Sequence, residues 1–116
     1  SLPGASEPPD LEVSLEEYRG GPGQAVAEAL LENRALLKQK KQGAKALGQE
    51  INHTTRQINE PGADAAEVRD LKTRYRDLFS ERKLLLSEVE YLEQLARQCQ
   101  QELIEGFNRW MQGRGS

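Results

Sequence analysis

Residues 58–65 read Ile-Asn-Glu-Pro-Gly-Ala-Asp-Ala, and this stretch decides the fold. Proline lacks a backbone N–H and glycine enters a left-handed conformation at little cost, so Pro61-Gly62 marks a helix end. Asp64 is a residue type that caps the start of the next helix. The chain on either side is rich in strong helix formers. We therefore expect a first helix over 24–60, a turn at 61–64 and a second helix over 65–112.

Both predicted helices carry a seven-residue apolar repeat. In the second helix, one line runs from Val68 to Trp110 and its companion line from Leu71 to Gly106, and eleven of these thirteen positions are apolar. The first helix repeats more weakly, through Leu30, Leu37, Ala44, Ile51 and Ile58. Such repeats are typical of helices that pack along a narrow seam.

A short connection between two helices favours antiparallel packing of neighbours. Folding the chain at Pro61 places Leu37 level with Leu85, and it also places Lys40 level with Arg82 as a like-charge layer that Asp77 and Glu81 would screen. The residues expected in the helix–helix contact are Leu30, Leu37, Leu47, Ile51, Leu71, Tyr75, Leu78, Leu85 and Leu92. The predicted fold is all-α: an elongated, coiled-coil-like antiparallel helical hairpin.

The N-terminal part predicts a short additional helix. Residues 10–23 hold this helix and a Gly/Pro hinge, with Leu11, Leu15 and Tyr18 on one face. Residues 1–9 and 113–116 are expected to be disordered. If the short helix folds back, it covers Phe107 and Trp110; if it does not, these aromatic residues form an exposed partner surface.

Composition excludes several classes of function. The chain has 116 residues, of which 36% are apolar and 30% charged, and it holds one cysteine and one histidine. No apolar run is long enough to span a membrane, and no phosphate-binding glycine loop occurs. We expect no catalytic, cofactor-binding or metal-binding residues, hence no cofactor and no enzyme activity in this chain.

A basic face on the first helix is the second candidate surface. Lys38, Lys41 and Lys45 point outward together at helical spacing. They either contact an acidic surface such as a microtubule or form an ordinary solvated face. Nucleic acid is not an expected partner because no aromatic residue lies among the lysines and the net charge of the chain is −3.

Several stretches resemble the tail of the kinesin-9 family, kinesin-like motors of cilia and flagella. They are residues 15–19, 30–52 and 71–110. The matching patterns are the Asn33–Lys38 run, the Glu88–Leu95 segment and the terminal Phe-x-x-Trp formed by Phe107 and Trp110.

The resemblance implies a non-catalytic coiled-coil tail segment, with the ATPase of any parent motor in a separate domain. Its expected role is self-association or docking to axonemal or cytoskeletal proteins, with a candidate microtubule contact and no membrane partner. The implied location is cytoplasmic, at the cytoskeleton of a cilium or flagellum. Two alternatives remain: a free-standing adaptor that dimerises through the second helix, and a basic-face binder of microtubules or nucleic acid.

Overall fold

The computed structural model describes residues 10–115, which form three α-helices and no strand. The helices are α1 (Leu11–Gly20), α2 (Gln24–Ile58) and α3 (Ala65–Gly115). The all-α antiparallel hairpin with a short N-terminal helix is therefore confirmed. The disorder expected at 1–9 and at Ser116 lies outside the described residues.

Helix α1 begins at a capping aspartate. The Asp10 carboxylate accepts hydrogen bonds from the backbone N–H groups of Glu12 at 3.0 Å and Val13 at 3.4 Å. These two donors have no partner within the helix, so the aspartate stabilises its first turn. Gly20-Gly21-Pro22-Gly23 then separates α1 from α2.

The turn between α2 and α3 is built on one left-handed residue. Helix α2 ends at Ile58, two residues before the predicted end, and the N–H of Glu60 bonds to the carbonyl of Gln57 at 3.2 Å. Gly62 has φ of +79°, and no other described residue with positive φ occurs. The turn therefore depends on glycine at position 62.

Gly62→Ala should lower the free energy of unfolding by about 1 kcal/mol, because a β-carbon is strained at this backbone conformation. Urea unfolding followed by circular dichroism measures the change. Gly113→Ala is the matched control, since Gly113 lies in a helix and an added β-carbon there has nothing within 4 Å. Equal stability of the two variants would contradict the role given to Gly62.

The C-terminal end differs from the sequence prediction, because α3 continues through Gly115. The Arg114 guanidinium donates to the Glu17 carboxylate at 2.8 Å and lies 4.5 Å from the centre of the Trp110 ring. A cation in the last turn also interacts favourably with the helix dipole. These contacts favour helix at residues 113–115, which were expected to be disordered.

The chain divides into two compact units, the first built from the two ends of the described chain and the second from Asn33–Leu95. The first unit holds α1, the start of α2 and the end of α3. Its core is formed by Tyr18, Leu30 and Leu103, with Val26, Ala27, Ala96, Cys99, Phe107 and Trp110 packed against them. This unit contains the aromatic residues singled out from the sequence.

The second unit holds the middle of the hairpin, where α2 packs on α3. Ala44, Thr54, Leu78, Val89 and Leu92 are buried there. Of the residues expected at the contact in this unit, Leu78 and Leu92 are buried, and six are half-buried: Leu37, Leu47, Ile51, Leu71, Tyr75 and Leu85. Leu30, the remaining member of the expected set, is buried in the first unit.

The contacts in the second unit depart from the predicted register, and two of them, Gly43 with Leu85 and Lys40 with Glu88, are each displaced by six residues. Leu85, expected level with Leu37, lies against Gly43, where an added β-carbon would be 3.0 Å from Cδ2 of Leu85. The glycine leaves space that a leucine side chain fills. A seven-residue repeat is compatible with more than one register, and this local fit of side chain to glycine is not visible in the repeat.

The predicted like-charge layer of Lys40 and Arg82 is wrong. Lys40 Nζ pairs with Glu88 Oε2 at 2.9 Å, and Arg82 Nε donates to the carbonyl of Ala44 at 3.0 Å. Each cation thus has its own acceptor, and Asp77 and Glu81 remain exposed. The shift in register removes the repulsion that the prediction had to screen.

Candidate protein-docking surfaces

Three aromatic side chains of the first unit form a cluster, which we call the aromatic cluster: Tyr18, Phe107 and Trp110. The Tyr18 ring centre lies 5.8 Å from that of Phe107, edge to face, and 5.5 Å from that of Trp110. Pairs at these distances stabilise beyond the burial of their area. Tyr18 therefore anchors α1 to the end of α3.

Two glycines make room for the Tyr18 side chain. A β-carbon on Gly23 would overlap the Tyr18 ring, and one on Gly106 would overlap its hydroxyl oxygen. Gly106 lies inside α3, where glycine costs about 1 kcal/mol relative to alanine. The close approach of Tyr18 explains why a small residue occurs at this helical position. In the sequence, Gly106 is simply the last position of the companion line and gives no sign of this contact.

The structure places Phe107 and Trp110 under the short helix. Ser14 and Tyr18 are the buried residues of α1, whereas Leu11 is 64% exposed and Val13 is also exposed. Of the face expected to turn inward, Tyr18 is buried and Leu15 is half-buried, whereas Leu11 at the start of α1 does not contribute to the cover. Phe107 and Trp110 are half-buried and belong to the packing of the first unit.

The second unit presents a basic face on one side of the α2–α3 contact, defined by Lys38, Lys41, Lys45, Phe79 and Leu86. Lys41 Nζ pairs with Glu93 Oε1 at 3.3 Å, which fixes the side of each helix. Lys38 and Lys45 lie three and four residues from Lys41, and Leu86 and Phe79 lie seven and fourteen residues before Glu93. Residues at these spacings share a helix face.

All five residues of the basic face are exposed, Phe79 to 54% and Leu86 to 42%. Phe79 also stacks on Tyr75, with ring centres 6.2 Å apart. The three candidate lysines of α2 thus lie on the same side of the contact between the helices as two exposed apolar side chains of α3. Phe79 and Leu86 share a face with these lysines only because α2 packs on α3, so this grouping is not visible in the sequence.

The other side of the contact carries an acidic face, defined by Asp77, Glu81, Leu84, Glu88 and Tyr91. These residues follow one another at alternating steps of four and three, which places them on one stripe of α3. The Lys40–Glu88 pair lies on this side. Neighbouring residues of a helix point about 100° apart, so Lys40 and Lys41 reach to opposite sides of the contact.

Exposed apolar side chains interrupt the acids of this face. Leu84 is 63% exposed and Tyr91 is 61% exposed. A further ion pair, Arg74 with Glu50 at 3.4 Å, also joins the two helices. The second unit therefore has one basic and one acidic face, each with exposed apolar residues at its centre.

Residues 10–115 contain neither a candidate metal site nor a candidate membrane span. In that part of the chain, no group of three or more His, Cys, Asp or Glu side chains is arranged to hold a metal ion. None of the three helices combines the length and the apolar content that a membrane span needs.

Comparisons with known proteins agree with the resemblance seen in the sequence. The mouse (Mus musculus) kinesin-like protein KIF9 is 25% identical over an alignment of 138 residues, which covers 93% of this chain and 17% of that protein. The human (Homo sapiens) kinesin-like protein KIF9 is 23% identical over 132 residues, covering 89% of this chain and 17% of the relative. This chain thus spans less than a fifth of either relative. No family model and no solved structure matches it.

Proposed function

We propose that this chain is a non-catalytic tail segment of a kinesin-9-like motor protein and that it docks onto another protein of the cytoskeleton. The likeness of nearly the whole chain to two kinesin-like proteins supports the cytoskeletal part of the proposal. An axonemal partner, a microtubule contact and a location in a cilium or flagellum belong to the same proposal.

The main support for a docking role is that α2 already covers the apolar side of α3 within one chain. Leu78, Val89 and Leu92 of α3 are buried in the second unit, where α3 packs on α2. A parallel dimer through α3 needs the same residues to face a second chain. The hairpin therefore leaves its outer faces, and not its seam, for contact with partners.

The basic face is the part of this surface best suited to a cytoskeletal partner. Three lysines beside exposed Phe79 and Leu86 combine charge attraction with apolar burial. Complementary charge raises the rate of encounter, whereas apolar contact supplies most of the affinity. Lys38 and Lys45 form no ion pair within residues 10–115, so both are available to an acidic partner.

Co-sedimentation with salt-washed axonemes and with purified microtubules tests the proposal. The protein, at low micromolar concentration, should pellet with at least one of them at about 100 mM salt, and less so at several hundred millimolar. The double change Lys38→Glu and Lys45→Glu should reduce the pelleted fraction severalfold. Arg19→Glu with Arg109→Glu makes the same change in net charge at exposed positions of the first unit, outside the basic face, and should have little effect.

Two results would overturn the proposal. One is recovery of the protein in the supernatant with both axonemes and microtubules. The other is equal loss of binding in the two double variants, which would reduce the interaction to non-specific charge attraction.

A further inference from the structure

We propose that hairpins of this chain associate side by side, with the basic face of one copy against the acidic face of the next. The proposal uses only the two faces of the second unit and does not depend on the likeness to kinesins. The partner is a second copy, because the chain itself carries both halves of a complementary contact.

The two faces have opposite net charge. On the basic side, Lys72, Lys83, Arg69 and Arg76 share the face of Phe79 and Leu86, and together with the three lysines of α2 they outnumber Glu90 and Glu93, so this face is net positive. On the acidic side, Asp70 and Glu50 join Asp77, Glu81 and Glu88, which gives five acids against Arg74 and Lys40, a net charge of −3. Opposite faces therefore attract, and like faces repel.

The existing ion pairs leave charge on each face for a partner. Arg74 and Lys40 are already bonded to Glu50 and Glu88, and Lys41 is bonded to Glu93. Asp77 and Glu81 on one face, and Lys38 and Lys45 on the other, are exposed and form no ion pair in the described chain. These four residues are the ones that a contact between copies would pair.

Both faces also offer apolar area at their centres. Phe79 and Leu86 are exposed on the basic face, and Leu84 and Tyr91 on the acidic face. Exposed charge pairs alone contribute little affinity because solvent and salt screen them. Aromatic and aliphatic side chains within a charged surround are the usual centre of an interface.

The contact is heterologous, since it joins two different faces. Each added copy leaves one basic and one acidic face free, so the association continues in a row unless it closes into a ring. The average molecular mass in solution should therefore rise steadily with protein concentration and should not level off at the mass of a dimer.

Charge reversal with mixing tests this pairing by sedimentation velocity and light scattering at about 50 mM salt. One variant carries Lys38→Glu and Lys45→Glu, and the other carries Asp77→Lys and Glu81→Lys. Each variant alone should associate at least about tenfold more weakly than the unchanged protein. The equimolar mixture should recover the association, because each reversed face then meets its complement. The control variant, Arg19→Glu with Arg109→Glu, lies in the first unit and should associate like the unchanged protein.

Circular dichroism confirms that each variant keeps its helices before the measurement. The proposal is overturned if the unchanged protein stays a 13.0 kDa monomer up to millimolar concentration. It is also overturned if both reversals leave association unaltered, or if mixing them restores nothing. Axoneme binding by a protein that stays monomeric would reject this inference and keep the proposed docking function.

Discussion

Replacing Tyr18 with alanine should release α1 from the end of α3. Tyr18 is buried, contacts both Phe107 and Trp110, and removal of a buried aromatic ring costs about 3 kcal/mol or more. A helix of ten residues is not stable by itself in water, so α1 should lose its helical structure as it detaches. Trp110 is the single tryptophan of the chain and reports the change directly.

The Trp110 emission maximum should shift to longer wavelength in Tyr18→Ala, because the indole becomes exposed to water. The midpoint of urea unfolding followed at Trp110 should fall, and the helical signal in circular dichroism should decrease. Leu11→Ala is the matched control, since it removes an exposed apolar residue from the same helix. If Leu11→Ala and Tyr18→Ala gave the same spectra, the anchoring role of Tyr18 would be excluded.

Gly106→Ala should destabilise the first unit, although alanine is the better helix former by about 1 kcal/mol. An added β-carbon overlaps the Tyr18 hydroxyl, and such crowding costs about 1–3 kcal/mol. We expect a net loss of about 1 kcal/mol in the unfolding free energy measured at Trp110. Gly113→Ala has no such neighbour and should leave stability unchanged or slightly higher.

A second substitution tests whether the stability loss in Gly106→Ala comes from crowding against Tyr18. Tyr18→Phe removes the oxygen atom closest to the β-carbon position of Gly106. The double variant Tyr18→Phe with Gly106→Ala should therefore recover much of the lost stability, whereas Tyr18→Phe alone should cost little. An additive loss in the double variant would mean that the two positions do not interact.

The helices and the turn could be predicted from sequence because their causes are local. Pro61 and Gly62 end α2, the Gly20–Gly23 stretch ends α1, and the seven-residue repeat marks the inward side of α3. The repeat did not determine the register, since several alignments of two repeats bury apolar residues. The space at Gly43, which Leu85 fills, appears only when the two helices are together.

The candidate surfaces could likewise be predicted only in part from the sequence. Lys38, Lys41 and Lys45 could be recognised from their spacing on one helix, and the aromatic pair from its motif. The neighbours of these residues could not, because Leu86 and Phe79 are about 40 residues away in sequence from the lysines that share their face. Thr54 of the second unit is 2% exposed, and its hydroxyl donates to the carbonyl of Glu50 at 2.8 Å, so the buried hydroxyl has a partner.

The hairpin, its two charged faces and the proposals built on them all require α2 and α3 to pack antiparallel within one chain. Spin labels at Lys45 and Lys83, introduced as cysteines in a Cys99→Ala background, measure this most directly by double electron–electron resonance. An excess of unlabelled protein removes distances between molecules. We predict a single narrow distance of about 20 Å, as expected for labels on helices packed 8–10 Å apart. A distance of about 57 Å, the length of the 38-residue separation as one continuous helix, would contradict the hairpin and the faces derived from it.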